Sequence, residues 1–436
     1  MSRLFVSLDR HTSLQASWCQ PDRYRDLFDL SRSGPLAVAG AAVSYAAAGF
    51  GAQAETIQMT AFRRILAFDP QTPSITLEAG ISLGSLFDFL TPRGLYLPVQ
   101  PGHPQITIGG CIAAAVHGKN QYAEGLFTHW VEQIQLWHPD HGMMTLDRQS
   151  EAELFSLTCG GFGTTGIIVA ATLRLAVLPG TELVVEKIPV DSFDETVARL
   201  DALKDQYDLL YSWNDMTRGG AAQGKGWIVA GRYSSEAQAK PSPVWAPLDP
   251  ARKRWRPKIF SAASAAIINR TYAALETRKP RQTLPLFEVF YPVASKPFYF
   301  DWYGQGGFIE QQILVPTLAW TSWSEQTRRL LQTSDTAITL ASIKAFRGIQ
   351  SLLAYDGNGF SVSFDLPNSP QTLAFLDRLD SINSSHGAIT NLIKDSRLSA
   401  ETCRRQYPQA QEFTDRLQRY DPSRRFRNAL TARLKL

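Results

Sequence analysis

The stretch TIGGCIAAAVHGKN, residues 107–120, combines two adjacent glycines, a run of alanines and, near its end, a histidine and a lysine. Small residues let a main chain approach a ligand closely, and successive backbone N–H groups can form a concavity that binds anions. Similar segments rich in glycine and alanine occur at 37–51 and 159–168. One such segment alone is usually a structural turn, so the order of all three along the chain carries the argument.

The composition is that of a folded, two-domain protein. The chain has 436 residues, of which 44% are hydrophobic and 19% charged, and this length exceeds what one core usually organises. Its formal charge of +4 is small, and no nucleic-acid-binding motif accompanies it, so we expect no nucleic-acid partner. Its four cysteines form no CxxC pair and no short-spaced cluster with histidine, so we expect free thiols and no metal site.

The N-terminus has no signal-peptide pattern, and no apolar run of about 20 residues occurs along the chain. We therefore expect a cytoplasmic protein. Residues 251–275 place a basic cluster, which includes Trp255, before an apolar stretch with helical spacing. This pattern is typical of a peripheral contact with anionic lipid headgroups. The alternative is a solvated basic loop that leads into an ordinary packed helix.

Periodicity predicts a mixed α and β architecture. Residues 36–110 contain short β segments separated by Gly, Pro and Asp, with a helix predicted over 82–90. Residues 131–180 add a strand, a helix and a glycine-rich turn that leads into an apolar strand. No strand, GxGxxG and helix unit is present, so a Rossmann dinucleotide site is not supported. Beyond Pro179 longer helices alternate with strands, which indicates a domain boundary near that point.

In this order, the three small-residue segments resemble the vanillyl-alcohol-oxidase (PCMH) type of FAD-binding domain, and most of all those members that oxidise a ribose attached to a lipid phosphate. The resemblance is carried by the sequences at 98–127, 147–175, 302–316, 342–346, 361–367 and 394–426. It implies an α+β fold with an FAD domain over 1–180, a substrate domain with an antiparallel sheet over 181–395, and a C-terminal segment, 396–436, that returns to the FAD domain. The active site is expected at their junction, a common location for pockets.

The resemblance implies FAD as the cofactor. Some relatives bond a histidine covalently to flavin, but the phosphate loop AGAAVSYAA at 39–47 contains no histidine, so we expect FAD to be held non-covalently. Where the family has glycine and arginine in this loop, Ala41, Ala42 and Val43 stand here, which removes a cation and some backbone freedom. The predicted cofactor contacts are Gly40, Ala41, Ala42, Ser44, Tyr45, Gly102, Thr107, Gly109, Gly110, His117, Gly118, Asn120, Gly166 and Ile168.

The catalytic residues implied by the resemblance are Lys394 and His117. Lys394, in NLIKDSR, stands where the family has its active-site lysine, which can orient the reacting hydroxyl and stabilise developing negative charge. His117 is expected beside the isoalloxazine as a hydrogen-bonding group. Without the resemblance, a Lys-Asp pair is usually exposed and a lone histidine is usually a buried structural residue. Lys119 can equally be a surface cation beside a turn.

The resemblance places several polar residues in the substrate pocket. An amide, a tyrosine and a cation suit a polyhydroxylated ring with an attached phosphate. Ser361 and Ser363 stand where the family has asparagine and cysteine, and Glu310 replaces a glutamine, so the substrate can differ from a lipid-phosphate ribose. The predicted substrate contacts are Tyr303, Gln312, Lys344, Ser361, Ser363 and Lys394.

The activity implied is FAD-dependent oxidation of a sugar hydroxyl to a keto-sugar by hydride transfer to flavin N5. The expected substrate is a sugar linked to polyprenyl phosphate or a related glycan precursor of the cell envelope, and a short-chain reductase partner would complete an epimerisation. A second interpretation is an alditol or aldonolactone oxidase that acts on a free small polyol. A third is a flavin-binding scaffold without catalysis, which the altered phosphate loop and the two serines motivate.

Overall fold

A computed structural model describes residues 2–29, 34–217, 220, 223–234, 243–294 and 296–436. The strands are β1 (Ser2–Val6), β2 (Ser13–Cys19), β3 (Leu36–Ala39), β4 (Glu55–Gln58), β5 (Ile65–Asp69), β6 (Ser74–Glu78), β7 (Leu95–Tyr96), β8 (Val131–His138), β9 (Gly142–Asp147), β10 (Ile167–Arg174), β11 (Ala176–Val177), β12 (Glu182–Val190), β13 (Leu209–Asp215), β14 (Lys225–Ser234), β15 (Arg281–Pro285), β16 (Phe308–Pro316), β17 (Leu340–Phe346), β18 (Gly359–Pro367) and β19 (Ile389–Thr390). The helices are α1 (Tyr24–Phe28), α2 (Leu83–Leu90), α3 (Ile108–Ala113), α4 (Gln121–Glu124), α5 (Ala152–Thr158), α6 (Phe193–Leu203), α7 (Ala262–Glu276), α8 (Leu286–Phe290), α9 (Phe298–Asp301), α10 (Trp320–Gln332), α11 (Pro370–Ser385), α12 (Ala400–Gln406), α13 (Ala410–Tyr420) and α14 (Ala429–Leu434).

The described N-terminal part of the chain contains two larger sheets and a two-stranded sheet of β7 and β11. One larger sheet has the order β1-β2-β4-β3 and includes parallel pairs, whereas the other has the order β5-β6-β10-β8-β9 and is antiparallel. The helices between these strands begin at side-chain caps, since Ser82 accepts from the backbone N–H of Ser85 and Thr107 from that of Gly110. These elements confirm the predicted α+β class and the helix predicted over 82–90.

An antiparallel sheet of eight strands follows, in the order β15-β12-β14-β13-β17-β18-β16-β19. Successive side chains of a strand point to opposite faces, and the apolar set of β16, β17 and β18, which includes Ile313, Ile343 and Val362, faces α6, α10 and α11 in one buried core. This arrangement confirms the predicted antiparallel sheet covered by helices. Because the helices cover this face, the other set of side chains is left for the cavity described below.

The C-terminal segment packs against the N-terminal sheets. The backbone N–H of Leu36 donates to the Arg425 carbonyl at 2.7 Å, and Arg427 N–H donates to the Leu36 carbonyl at 2.8 Å. The Asn428 amide donates to the Phe162 carbonyl at 2.8 Å. The domain boundaries near 180 and 395 stay predictions.

The far end of β8 also meets this segment. His138 Nε2 lies 3.6 Å from the Asp421 carboxylate, and with Asp140 these residues place candidate ligand atoms within 4.8 Å of one another. The Asp421 carboxylate already has hydrogen-bond donors within the chain, because it accepts from the Ser423 hydroxyl and the Arg425 backbone N–H.

In the part of the chain that the structure describes, no helix has the length and apolar character needed to cross a bilayer.

Candidate active site

A cavity of about 420 Å³ lies between the glycine-rich loops and the face of the eight-stranded sheet opposite α6, α10 and α11. One wall consists of backbone and small side chains from 40–45, 100–103 and 113–119. The opposite wall consists of polar and charged side chains from the sheet and from the turn that carries Lys394. Its size is that of a ligand pocket, and its two walls differ sharply in chemistry.

The register of β16, β17 and β18 arranges the sheet wall as three rows of side chains. Antiparallel partners on one face are direct neighbours, with Cβ atoms about 5 Å apart. The rows, in the spatial order β16, β18, β17, are Glu310–Asp365–Leu340, Gln312–Ser363–Ser342 and Leu314–Ser361–Lys344. Residues far apart in the sequence therefore share one surface.

Lys394 reaches this wall from a turn anchored on β16. The backbone N–H and the side-chain amide of Asn391 donate to the Gln312 carbonyl at 2.8 Å and to Gln312 Oε1 at 2.6 Å. Lys394 Nζ then lies 3.2 Å from Glu310 Oε2 and 3.8 Å from the centroid of the Tyr45 ring. An ion pair and a cation–π contact therefore hold the ammonium inside the cavity.

The next residues of this turn tie it to the phosphate loop. The Ser396 hydroxyl donates to the Tyr45 carbonyl at 2.9 Å and is also hydrogen-bonded to the buried carboxylate of Asp9. Arg397 pairs with Asp380 of α11 at 2.7 Å. Lys394 is thus positioned by the sheet on one side and by the loop that contains Tyr45 on the other.

The loop at 40–45 has the geometry of an anion-binding nest. Within the described residues, the backbone N–H groups of 41–44 donate to no hydrogen-bond acceptor. Ala42 has a φ of +55°, a left-handed conformation that lets neighbouring N–H groups converge. A Cβ at Gly40 would lie 2.1 Å from Thr107 Oγ1, so this position has no room for a side chain. The free donors and the narrow cradle fit the pyrophosphate of FAD.

His117 lies at the end of the small-residue stretch and lines the cavity. Its Nδ1 is 3.0 Å from the Gly118 carbonyl, and its Nε2 is 3.3 Å from Gln312 Oε1. Burial, and then the nearby charge of Lys344, lower the pKa of His117 to about 3. The imidazole is therefore neutral near pH 7, and its one N–H can donate to the Gly118 carbonyl.

Three further groups in the cavity have pKa values shifted towards neutrality. Burial raises the pKa of Asp365 to about 7, with a further contribution from Glu310. Burial lowers the pKa of Lys344 to about 8 and that of Lys119 to about 7, and the charge of Lys344 adds to the shift at Lys119. Lys119 Nζ donates to the Phe290 carbonyl at 2.6 Å. Lys119 is therefore a cavity residue, and the interpretation as a surface cation is wrong.

The structure brings most of the predicted site residues to the cavity wall. Every predicted cofactor contact except Asn120 lines it, as do four of the predicted substrate contacts, Gln312, Lys344, Ser363 and Lys394. Their roles stay predictions, since the cavity shows where a side chain lies and not what it binds.

Three predicted contacts, Asn120, Tyr303 and Ser361, do not line the cavity, and their roles stay predictions. The Asn120 amide donates to the Pro98 carbonyl at 3.1 Å. The Tyr303 hydroxyl is 2.9 Å from that of Tyr299, and the Ser361 hydroxyl is 2.9 Å from that of Tyr355. Tyr299 and Tyr355 line the cavity instead, so Tyr303 and Ser361 support wall residues from a second layer.

Asp365 and Tyr299 are among the wall residues that sequence reasoning missed. The signal for Asp365 was available, because it follows Ser361 and Ser363 at intervals of two on one strand and so shares their face. Tyr299 lies in the short helix α9, where no periodic pattern indicates which side chain enters the cavity.

Comparison with known proteins identifies the N-terminal wall. Residues 30–147 match the FAD binding domain family. This part of the chain is an FAD binding domain. The match includes the loop at 40–45 and the stretch that ends at His117, which are the two segments that form the backbone wall of the cavity.

Three relatives extend this result. The chain is 27% identical over 396 residues to the decaprenylphosphoryl-beta-D-ribose oxidase of Mycolicibacterium smegmatis, which covers 87% of this chain and 85% of the relative. It is 33% identical over 145 residues to the mitochondrial D-lactate dehydrogenase (cytochrome) 1 of Saccharomyces cerevisiae, with 32% of this chain and 24% of the relative covered. It is 26% identical over 179 residues to the D-arabinono-1,4-lactone oxidase of the same yeast, with 39% and 31% covered.

These similarities place the chain among FAD-dependent oxidoreductases. All three relatives carry the name of an oxidase or a dehydrogenase, and the chain shares the FAD binding domain. Of the three alignments, the one that covers 87% of the chain is the one long enough to include both the FAD binding domain and the eight-stranded sheet.

Proposed function

We propose that this oxidoreductase oxidises a hydroxyl of a sugar that is linked to a lipid phosphate, and releases a keto-sugar. A relative that aligns with 87% of the chain is named decaprenylphosphoryl-beta-D-ribose oxidase. FAD, when bound, supplies the acceptor for the hydride. The chain's own residues then have to bind the sugar, hold its phosphate and orient the reacting hydroxyl.

The observation that carries this proposal is the free cation of Lys344. Within the described residues, no carboxylate or carbonyl accepts a hydrogen bond from Lys344 Nζ, although this side chain lines the cavity beside a second buried lysine, Lys119. Two neighbouring buried ammonium groups repel each other and lose hydration, and a bound anion offsets both costs. A substrate phosphate supplies such an anion, whereas a free polyol does not.

Lys394 and His117 are the proposed catalytic residues. Lys394 Nζ, held by Glu310 at 3.2 Å, can donate to the substrate hydroxyl oxygen and stabilise negative charge on it. The neutral ring of His117 can add a hydrogen bond without adding charge. FAD is proposed to be non-covalent, because the loop at 39–47 contains neither histidine nor cysteine. Acid precipitation should then leave the flavin in the supernatant.

The test is anaerobic reduction of the flavin, followed by its absorption spectrum. A short-chain polyprenylphosphoryl ribose should bleach the oxidised spectrum, and the Lys344→Met variant should need a much higher probe concentration for the same bleaching. Lys279→Met, which removes an exposed lysine, is the matched control and should behave as the parent. Bleaching that is equally efficient in Lys344→Met would contradict the phosphate role of Lys344.

A second candidate function is oxidation of a free polyol or aldonolactone. The similarity to the yeast D-arabinono-1,4-lactone oxidase supports it, although that alignment covers 39% of this chain. Ribitol and arabinono-1,4-lactone are the discriminating probes in the same spectral assay. Bleaching by these neutral compounds at concentrations where the lipid-linked probe has no effect would replace the first proposal with the second.

A reductase partner is the proposed second half of an epimerisation. The oxidation leaves a ketone, and return of hydride to the opposite face by a separate enzyme would invert that carbon. The isolated chain should therefore accumulate a product two hydrogen atoms lighter than the substrate, as measured by mass spectrometry. Recovery of an inverted sugar without any added reductase would remove the need for the partner.

A peripheral membrane contact is proposed for the segment that includes Trp255. The indole of Trp255 is 86% exposed, and the adjacent Arg256 pairs at 3.0 Å with Asp301 of α9. In the same short helix Phe298 is exposed while Tyr299 lines the cavity. The basic segment is therefore tied to the short helix whose Tyr299 lines the cavity, an arrangement that supports entry of a lipid-linked substrate from a membrane surface.

Vesicle co-sedimentation tests this contact. Binding should require anionic phosphatidylglycerol, weaken with salt and decrease in Trp255→Ser. Leu318→Ser is the control, since Leu318 is equally exposed but lies in the turn before α10. Absent or salt-insensitive binding would refute the membrane contact.

A further inference from the structure

Two carboxylates face each other directly in the first row of the sheet wall. Glu310 of β16 and Asp365 of β18 are antiparallel partners, and both line the cavity. Like charges in directly opposite positions are destabilising, and partial burial strengthens the repulsion because less water screens it. A pair of this kind costs stability unless one member is protonated or a ligand offsets the charge.

The two carboxylates have different partners. Glu310 is paired with Lys394 Nζ at 3.2 Å. Asp365 has no ion pair within the described residues, and the Tyr299 hydroxyl donates to its Oδ2 at 2.7 Å. The charge of Glu310 is therefore compensated, whereas that of Asp365 is exposed to the repulsion.

A chain of hydroxyl groups fixes the orientation of Asp365. Tyr299 is 2.9 Å from the Tyr303 hydroxyl, and Tyr303 is 2.5 Å from the Thr339 hydroxyl. Thr339 in turn donates to the Asp365 backbone carbonyl at 3.0 Å. This closed chain restrains Oδ2, and Oδ1 has no hydrogen-bond donor in the described parts of the chain. Oδ1 is therefore the oxygen available to a ligand.

The geometry points to Asp365 as the proton acceptor for the substrate hydroxyl, a role that rests on the function proposed above. When FAD is bound it would supply the acceptor for the carbinol hydrogen and its electron pair. The hydroxyl O–H bond would then break and a new O–H bond would form on Asp365 Oδ1, so that the substrate would become a ketone and Asp365 a neutral acid. Atoms and charge balance without a further reactant.

The surroundings favour this transfer in two ways. Protonation of Asp365 removes its repulsion with Glu310, so the wall is relieved by the step it would catalyse. Burial first, and then the charge of Glu310, raise the pKa of Asp365 to about 7, whereas the Tyr299 hydrogen bond and the charge of Lys394 act in the opposite direction. A base with a pKa near the working pH is the most effective in proton transfer.

An infrared titration tests the protonation of this pair without any substrate. The wild-type holoenzyme should show a carboxylic acid C=O band that is lost as the pH rises through about 7. Asp365→Asn should lack this band. Glu310→Gln should move its loss to lower pH, because the repulsive charge is gone. Asp415→Asn, an exposed carboxylate on α13, should leave it unchanged. A band that persists in Asp365→Asn, or no band in the wild type, would overturn the inference.

Rapid-reaction kinetics test the transfer itself. With the polyprenylphosphoryl ribose as probe, Asp365→Asn should slow flavin reduction about 10²- to 10⁴-fold and lose the dependence on the group of pKa about 7, with probe affinity retained. Tyr299→Phe is a positioning variant, since its hydroxyl stabilises the carboxylate, and it should shift the pH profile upwards. A parental rate and pH profile in Asp365→Asn would overturn the inference.

The infrared titration and the rapid-reaction kinetics together distinguish failure of the substrate proposal from failure of Asp365 as the proton acceptor. If the probe does not reduce the wild-type flavin, the substrate proposal fails, and the same variants are compared with whichever of ribitol and arabinono-1,4-lactone does reduce it. If none of them does, the infrared titration alone decides, and a wild type without the Asp365 band counts against the inference. If the probe reduces wild type and Asp365→Asn equally, the substrate proposal stands and the proton acceptor is elsewhere.

Discussion

The two walls of the cavity are built in opposite ways. The FAD-side wall uses backbone N–H groups and small residues from continuous segments such as 40–45 and 107–120, whereas the sheet-side wall uses charged side chains from strands far apart in sequence. A backbone wall binds by shape and dipole and is damaged by added atoms. A side-chain wall acts through charge and is damaged by removed atoms. Substitutions that add atoms should therefore impair function on the backbone wall, whereas substitutions that remove charged groups should impair it on the side-chain wall.

After Asp365→Asn, the largest effect is expected on the sheet side at Lys394. Lys394→Met should retain FAD and lower the rate of flavin reduction by the probe about 10²- to 10³-fold, the usual cost of removing one group that stabilises developing negative charge. Stopped-flow absorbance measures the rate, with Lys279→Met as the surface control. A colourless Lys394→Met protein would mean that this side chain holds the cofactor, and the contrast between the walls would be lost.

The corresponding disruptive substitution in the backbone wall is Gly40→Ala. The new Cβ would lie 2.1 Å from Thr107 Oγ1, so Thr107 must move and release the α3 N-terminus that it caps. We expect at least an approximately tenfold loss of FAD affinity, measured by flavin fluorescence titration of the deflavinated protein. Gly34→Ala is the control, since a Cβ there meets nothing within 4 Å. Equal affinities for these two variants would show that the cradle is not tight.

The pH dependence of binding sharpens the contrast further. Because the folded protein lowers the pKa of Lys119 to about 7 and of Lys344 to about 8, both lose charge as the pH rises through these values. Affinity for a phosphate-containing probe should then fall by about tenfold between pH 6.5 and 9, the scale of one charge-assisted hydrogen bond. Spectral titration measures it, and Lys344→Met should show a smaller slope. Affinity for neutral ribitol that falls in parallel would refute the charge explanation.

The same two lysines predict a change of stability with pH. Their pKa values in the unfolded chain are near 10.4, so above pH 7 the unfolded state binds more protons than the folded state, and the free energy of unfolding rises with pH towards 10 on their account. Urea unfolding of the parent and of Lys119→Met at several pH values checks the sign. A steeper rise in Lys119→Met than in the parent would contradict it.

The smallest effect is expected at Ala42 in the phosphate loop. A left-handed alanine costs roughly 1 kcal/mol, and glycine removes that strain but adds freedom to the unfolded chain. Ala42→Gly should therefore be more stable by about 0.5 kcal/mol in urea unfolding, whereas Ala273→Gly within α7 should be less stable by roughly 0.5–1 kcal/mol. Destabilisation of similar size in both variants would mean that the Ala42 conformation is unstrained.

Most of the FAD-side wall could be predicted from local sequence. Gly40, Gly109, Gly110 and His117 belong to segments whose composition indicates close backbone approach, and the structure places all of them at the cavity. The resemblance to FAD-binding domains rested on these segments, and the match over 30–147 agrees with it. Such prediction works because a backbone cradle forms within a continuous stretch of chain.

The positions that local sequence left open have a common physical cause. Tyr303 and Tyr299 are four residues apart, and whether a tyrosine faces the cavity depends on how α9 packs. Lys119 was left open between a cavity residue and a surface cation, because no local pattern indicates its contact with the distant Phe290 carbonyl. Whether a side chain lines the cavity or lies behind its wall depends on packing between segments that are distant in the sequence.

By itself, therefore, the sequence determined that this chain folds into α and β elements with an FAD-binding backbone wall, because glycine, alanine and strand alternation act over a few residues. The tertiary structure alone decided that Glu310 faces Asp365, that Lys394 meets Glu310 and that Lys344 has no hydrogen-bond acceptor among the described residues. These relations depend on the register between β16, β17 and β18 and on the turn anchored at Gln312. A shift of one residue in a strand of that register would turn its cavity side chains, such as Glu310, Asp365 or Lys344, to the other face.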